Sequence, residues 1–341
     1  MAEDSFQNKI IMVTGGTGSF GHTIVKKLLD KNPKEIRIFS RDEKKQDDMR
    51  YEFEGNKKLR FVIGDVRDKD SLRRAMRNVD IIYHAAALKQ VPHCEENVFQ
   101  AVLTNVVGAQ NVVDVALEYN VYKVIAISTD KAVEPVNVMG MTKAIQERIM
   151  ISANLHKDGK RTKFSCVRYG NVLATRGSVI PLFLKQIKAD RQLTITDKRM
   201  TRFILTLEEA IELVFKATEI MVGGEIFTLE LPAHTVLDLA EVMLSEFNAK
   251  NKEIKVIGIR PGEKIHETLV SPTESLRTVK KKNLFIILPQ IKIAQIEQKY
   301  PHYQNENIFR FSSDTARRLS KTELKELLEK NEQLLKDNEP I

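Results

Sequence analysis

The chain has 341 residues, 42% hydrophobic and 29% charged, which is enough for one large core with room for a smaller lobe. No apolar run approaches the roughly 20 residues that span a bilayer, no signal-peptide pattern opens the chain, and Cys94 and Cys166 lack metal-ligand spacing; membrane insertion, a disulfide framework and a metal site are not expected, and a cytoplasmic location is. The formal charge of +8 is scattered among nearly as many acids, without an aromatic-basic motif, so an anionic small molecule explains it as well as nucleic acid would, and no nucleic-acid partner is predicted.

Residues 9–14 (KIIMVT) predict a strand that runs into Gly15, Gly16, Thr17, Gly18, Ser19, Phe20 and Gly21, with an amphipathic helix following to about Lys31. A Gly-rich turn between strand and helix suits a pyrophosphate. Glycines 15, 18 and 21 serve the tight turn, the close backbone approach and the helix packing, and the helix N-terminus offers free N–H groups. A second strand, Glu35 to Ser40, ends where an NAD protein would carry a carboxylate for the ribose. Ser40 and Arg41 stand there instead, which favours the 2′-phosphate of NADP over NAD, although Asp42 follows immediately.

A third strand, Leu59 to Gly64, delivers Asp65 and Val66 for the adenine, with a helix cap as the other role open to Asp65. The fourth, Val79 to His84, gives way to Ala85, Ala86, Ala87, Leu88 and Lys89, small side chains that leave room for a ribose and nicotinamide. Asn105, in a helical pattern from about Asn97 to Tyr119, is expected to steady the loop after the fifth strand, or else to be a solvated helix position.

Val124 to Ile127 reads as a buried parallel strand, and Ser128, Thr129, Asp130 and Lys131 fall at its carboxyl end, where open α/β sheets bind ligands. Pro135 ends the loop, Asn137 is the expected cap, and Met139 and Lys143 share a helical face. After a sixth strand, Lys163 to Arg168, come Tyr169 and Asn171, and the regular alternation stops. The predicted fold is α/β, a Rossmann doubly wound parallel sheet over residues 1–172 to which later segments return, with 173–341 mainly a smaller α/β substrate lobe and a helical tail from Thr315 to Asp337.

Through TGGTGSFG, IFSRDEKKQDD, GDVRD, HAAALKQVP, STDKAVEPVNVMG, RYGNV, RGSVIPLF, LTITDKRMTRF and RPGEK, the chain resembles the extended short-chain dehydrogenase/reductase superfamily. Within it, the chain is similar to the short UDP-N-acetylglucosamine 4,6-dehydratases that invert carbon 5 and serve capsule and surface-sugar synthesis. The resemblance runs from about Lys9 to about residue 270. It implies that Gly15, Thr17, Gly18, Ser19, Phe20, Gly21, Ser40, Arg41, Asp65, Val66, Ala85 to Ala87, Lys89, Asn105, Ser128 and Thr129 hold NADP, with Lys143 on the nicotinamide ribose.

By the same resemblance, Tyr169 and Asn171 flank the nicotinamide and the substrate phosphate. Lys89, Arg202, Arg260 and Glu263, with Arg176 as a weaker candidate, hold the UDP-sugar among Val179, Pro181, Thr194 and Met200. A homo-oligomer, a dimer or an assembly of dimers, is implied as well. One position departs from the superfamily pattern. Met139 stands where most members carry the tyrosine base, and a thioether carries no proton.

The expected chemistry gives Asp130 the role of acid toward the departing 6-hydroxyl and neutral Lys131 that of base at carbon 5. A UDP-sugar 4-epimerase, with no leaving group to protonate, and a non-catalytic NADP-binding protein are the rival expectations.

Overall fold

The computed structural model describes residues 5–157, 159–173, 178–247, 249, 252–301, 303 and 305–331. Its strands follow the apolar, β-branched runs of the sequence: β1 (Ile10–Thr14), β2 (Glu35–Ser40), β3 (Leu59–Ile63), β4 (Ile81–His84), β5 (Lys123–Thr129) and β6 (Lys163–Tyr169). Among the described residues nine strands form the main sheet, with β6, β5, β4, β1, β2 and β3 as neighbours in that order. Every pairing within this set is parallel. The order turns back at β1, which has β2 on one side and β4 on the other, and a ligand crevice opens at such a reversal.

Three later strands extend the sheet beyond β6. Ile226–Leu229 pairs parallel with β6, then Leu284–Ile287 and Thr278–Lys281 follow antiparallel. Five of the six parallel strands are buried on both faces because helices cover them, and β1 and β5 accordingly read as continuous apolar runs, whereas β3 at the sheet edge is half exposed. A second apolar cluster, separate from the sheet's, gathers Ile180, Phe183, Leu193, Met200, Leu239 and Met243.

The tail helix, Lys321–Lys330, packs Leu324 and Leu328 into this second cluster and is tied to Glu241 and Glu246 through Lys321 and Lys325. It caps the cluster, whereas residues 332–337 of the expected helix lie outside the described residues. The expected strand at 255–259 is shorter, Ile254–Val256, because only these residues pair with Leu193–Ile195.

The expected helix at 97–119 is also interrupted. Val98–Ala101 and Gly108–Glu118 are α-helical, but Val102–Val107 between them is a π turn. No helix of the described residues is long and apolar enough to cross a membrane.

Candidate active site

The carboxyl ends of β1 to β6 and the second cluster enclose a cavity of about 1030 Å³. Its nucleotide-like end is the glycine turn between β1 and α1 (Ser19–Leu29). Gly15 has φ +67°, and a Cβ there would come within 2.9 Å of the Ala86 backbone. At Gly21 a Cβ would lie 2.5 Å from Gly16 Cα, so the helix meets the turn with no room for a side chain. Gly18 caps α1 without a side-chain bond, which leaves the helix N–H groups of Ser19 and Phe20 turned toward the cavity they line. A dinucleotide pyrophosphate fits this cradle. Thr17 also lines it, and its hydroxyl meets that of Ser40 at 2.8 Å.

Beyond Ser40, the acidic residue in question is committed elsewhere. Asp42 caps α2 (Glu43–Glu52), accepting from Lys45 N at 3.0 Å and pairing with Lys45 Nζ at 2.9 Å, and those bonds hold its carboxyl below the usual range. Arg41 is half exposed and 3.5 Å from Asp65. The cap role open to Asp65 falls instead to Asp68, which accepts from Asp70 N at the start of α3 (Lys69–Met76); Asp65 binds Arg67 at 2.6 Å and, with Val66, lines the cavity.

Ala85, Ala86, Ala87 and Lys89 continue the wall after β4. Asn105 is fully buried and does not line the cavity, so it is neither a solvated helix position nor a direct cofactor contact. It accepts from Leu88 N at 2.8 Å and donates to Leu88 O at 2.9 Å and to Thr142 at 3.0 Å. It therefore steadies the loop after the fourth strand, not the fifth, because the π turn aims its amide there.

At the end of β5, Ser128, Thr129 and Lys131 face the cavity, and Asp130 lies fully buried behind them. Thr129 donates to Asp130 Oδ1 at 2.9 Å. Lys131 Nζ donates to Asp130 Oδ1 at 3.0 Å and to Asn171 at 3.5 Å, and pairs with Glu267 Oε1 at 3.1 Å. Burial works to lower the Lys131 pKa, but the two carboxylates outweigh it and raise it above the ordinary lysine value. A base role for Lys131 therefore requires it to give up a proton that these carboxylates hold. Burial raises the Asp130 carboxyl, reinforced by Glu267, toward the protonated form that an acid needs.

Glu267 escaped the sequence reading. It belongs to a distant segment, and nothing in its local pattern marks it; only the folding of residues 265–268 against Ser313 brings it to Lys131.

Met139 and Lys143 both line the cavity from the Val138–Ser152 helix, which Asn137 caps by accepting from Gly140 N at 2.7 Å. Met139 is buried against Cys94 and Ala101. Lys143 donates to Ile127 O and to Gln146 at 2.8 Å, and burial pulls its pKa down to about 8. Behind this helix Arg168 forks onto Glu147 (2.7 Å) and Glu274 (3.0 Å), all three buried. Tyr169 and Asn171 reach the cavity just past that ion triad, and burial raises the Tyr169 hydroxyl pKa.

Val179, Pro181, Thr194 and Met200 line the opposite wall, with Arg202, Arg260 and Glu263. The Arg202 guanidinium is turned onto the carbonyls of Thr201, Lys264 and Ile265, with Nε 4.0 Å from Glu267. Arg260 is half exposed, 3.8 Å from Glu263. Arg176 lies outside the described residues. Among the described residues no cluster of acidic, histidine or cysteine side chains forms a metal site.

A doubly wound parallel sheet with a glycine turn at its reversal and a lysine-bearing helix beside its fifth strand is the architecture of a dinucleotide-binding Rossmann fold. The chain belongs to the polysaccharide biosynthesis protein family, whose model matches residues 11–289. It is 44% identical over 333 residues to a UDP-glucose 4-epimerase of Rickettsia bellii, covering 95% of this chain and 96% of that one.

An uncharacterized membrane protein of Methanocaldococcus jannaschii is 49% identical over 290 residues, 83% of this chain and 87% of its own. Among solved structures, Pen from Bacillus thuringiensis superposes with a TM-score of 0.90 at 40% identity, over 96% of this chain and 99% of that one. A dTDP-glucose 4,6-dehydratase from Streptomyces venezuelae, solved with NAD, shares the fold with a TM-score of 0.68 at 19% identity, over 87% of this chain and 92% of that one.

Proposed function

We propose that this protein is an NADP-dependent hydro-lyase that removes water across carbons 5 and 6 of UDP-N-acetylglucosamine and inverts carbon 5. The product is a 4-keto-6-deoxy sugar nucleotide for surface polysaccharide. The observation that carries the reading is the Asp130–Lys131 pair at the end of β5, an acid buried behind a potential base that opens onto the cavity, with a methionine that can do neither lining the same cavity.

Glycines 15, 18 and 21 and the N-terminus of α1 would hold the pyrophosphate, Ser40, Arg41 and Lys45 the 2′-phosphate, and Lys143 the nicotinamide ribose. When bound, NADP⁺ supplies the hydride acceptor for sugar carbon 4 and the donor for carbon 6, with no net consumption. As carbon 4 is oxidised its hydroxyl proton passes to solvent, as does one proton of the Lys131 ammonium. The neutral amine then takes the hydrogen from carbon 5 as a proton, acidified by the neighbouring ketone, and a solvent-derived proton is later delivered to the opposite face of carbon 5. Asp130 gives its proton to the departing 6-hydroxyl, so that the carboxyl ends ionised and water leaves. Lys89 and Arg260, with Glu263, are the groups for the UDP moiety.

The preference for NADP rests on Asp42 being engaged by Lys45 while Arg41 is half exposed and held, among the described residues, only by its 3.5 Å contact to Asp65. Replacing Arg41 with Ala is expected to weaken NADP binding about tenfold, the scale of one charge-assisted bond, and to leave NAD nearly unchanged. Titrating both cofactors into wild type and R41A measures it; an equal loss for the two would remove Arg41 from the 2′-phosphate.

The relatives named UDP-glucose 4-epimerase support a second reading, a 4-epimerase. Incubation with UDP-N-acetylglucosamine in heavy water separates the two. Loss of one water with deuterium at an inverted carbon 5 supports the dehydratase, whereas unchanged mass with a new carbon 4 epimer makes the protein an epimerase.

A further inference from the structure

Lys131 has an acceptor for each of its three protons: Asp130 Oδ1 at 3.0 Å, Glu267 Oε1 at 3.1 Å and Asn171 Oδ1 at 3.5 Å. An ammonium satisfies that arrangement; a neutral amine, with two N–H bonds, would point its lone pair at an oxygen. Two of the acceptors are carboxylates and only Asp130 is its neighbour in sequence. Glu267 arrives from a separate segment, is almost wholly buried, and lines the cavity. Among the described residues its second oxygen, Oε2, has no hydrogen-bond partner, and neither has Asp130 Oδ2. A carboxylate kept only to tie two segments together would be expected to use both oxygens, since a buried unpaired one is costly.

We propose that Glu267 is a positioning residue that sets the pH at which Lys131 gives up its proton, and so when Lys131 can act as a base. The inference rests on the dehydratase reading for its consequence in catalysis, but not for its effect on Lys131. The other charged groups around the ammonium are Asp130 on its own loop, Arg202 from the Thr201–Leu205 strand and Lys264 from the loop before Glu267. Asp130 and Glu267 hold the proton on; Arg202 and Lys264 oppose them. Asp130 must surrender its own proton during the elimination, so it cannot at the same time be the fixed counter-charge. Glu267, anchored by its backbone bond to Ser313 at 2.9 Å, remains in place throughout. Its charge is the constant against which a bound cationic nicotinamide and the two basic neighbours act.

The test compares wild type with Glu267→Gln, which keeps the shape and an acceptor oxygen, and with Glu267→Met, a second uncharged variant of matched length should the first not fold. Two readouts are taken. In the sugar-free protein, NMR of isotope-labelled lysine side chains follows the Lys131 ammonium through its titration. In the NADP-loaded protein with UDP-N-acetylglucosamine, deuterium entry at carbon 5 is followed across pH.

Removing the negative charge is expected to lower the Lys131 titration by about one pH unit or more, the effect of a close charge in a desolvated site. The rising limb of the exchange profile should move to lower pH by the same amount. Glu267→Asp, which keeps the charge, should remain near wild type. A folded uncharged variant whose Lys131 titration is unmoved, with exchange reduced equally at every pH, would overturn the proposal and leave Glu267 a structural tie. If wild type exchanges nothing at carbon 5, the dehydratase reading fails, and the sugar-free titration still decides the role of Glu267.

Discussion

Substituting Lys131 with Ala should cut deuterium exchange at carbon 5 at least about a hundredfold, the lower end of what a positioned general base contributes, while NADP remains bound. The size of the effect follows from geometry. Apart from Lys131, the described groups of this cluster that could handle a proton are Asp130 and Glu267, and Asp130 is assigned to the leaving hydroxyl. The change also strands two buried carboxylates without their shared cation, so one of them must take up a proton. Mass spectrometry of sugar recovered from heavy water measures the exchange, and the fluorescence of added NADPH is the control for cofactor binding. Exchange at the wild-type rate in K131A would take Lys131 out of the chemistry.

The largest expected stability effect belongs to Arg168. Replacing it with Met leaves Glu147 and Glu274 buried and unpaired, and breaking a buried pair in this way costs about 3–5 kcal/mol. The pH dependence has a definite sign. Burial alone would raise the Glu274 carboxyl, but Arg168 outweighs it and holds the pKa at about 2, against 4.5 for an ordinary glutamate. A carboxylate depressed on folding adds stability that is present above its unfolded pKa and is lost as the pH falls through the folded one. In wild type that contribution therefore disappears between about pH 4.5 and about 2. In R168M it is absent from the start, so the deficit should be full at pH 7 and shrink on acidification. Urea unfolding at several pH values measures it, and a deficit that does not change with pH would mean the triad stabilises by packing rather than by charge.

Much of the fold was legible because it is written locally. The strands of the sheet are short β-branched runs, and Glu35–Ser40 ends where its apolar run ends. Gly15, Gly18 and Gly21 announce the turn because no other residue fits the contacts at 15 and 21. The Asp130–Lys131 pair was visible as two titratable neighbours after a buried strand.

What was hidden depends on contacts between distant segments. Glu267 has no local signature, and the charge on Lys131 depends on it, so the protonation state could not be read before the fold was known. Asn105 lay in an apparently regular helix, and its direction depended on a turn type that apolar periodicity does not reveal. Arg202 looked like a free anion ligand, but local carbonyls occupy much of its guanidinium.

The π turn at Val102–Val107 has a consequence for how this chain tolerates changes in length. Such a turn is an α-helix carrying one residue more than its span requires. Deleting one residue there would let the helix close into ordinary geometry, most simply with its two α-helical ends kept. The helix would survive, but Asn105 would rotate off Leu88 and release the loop that carries Ala85 to Ala87. In this segment a single-residue gap is therefore a change to the cofactor wall, and it would escape any comparison that scored only which amino acids had been exchanged.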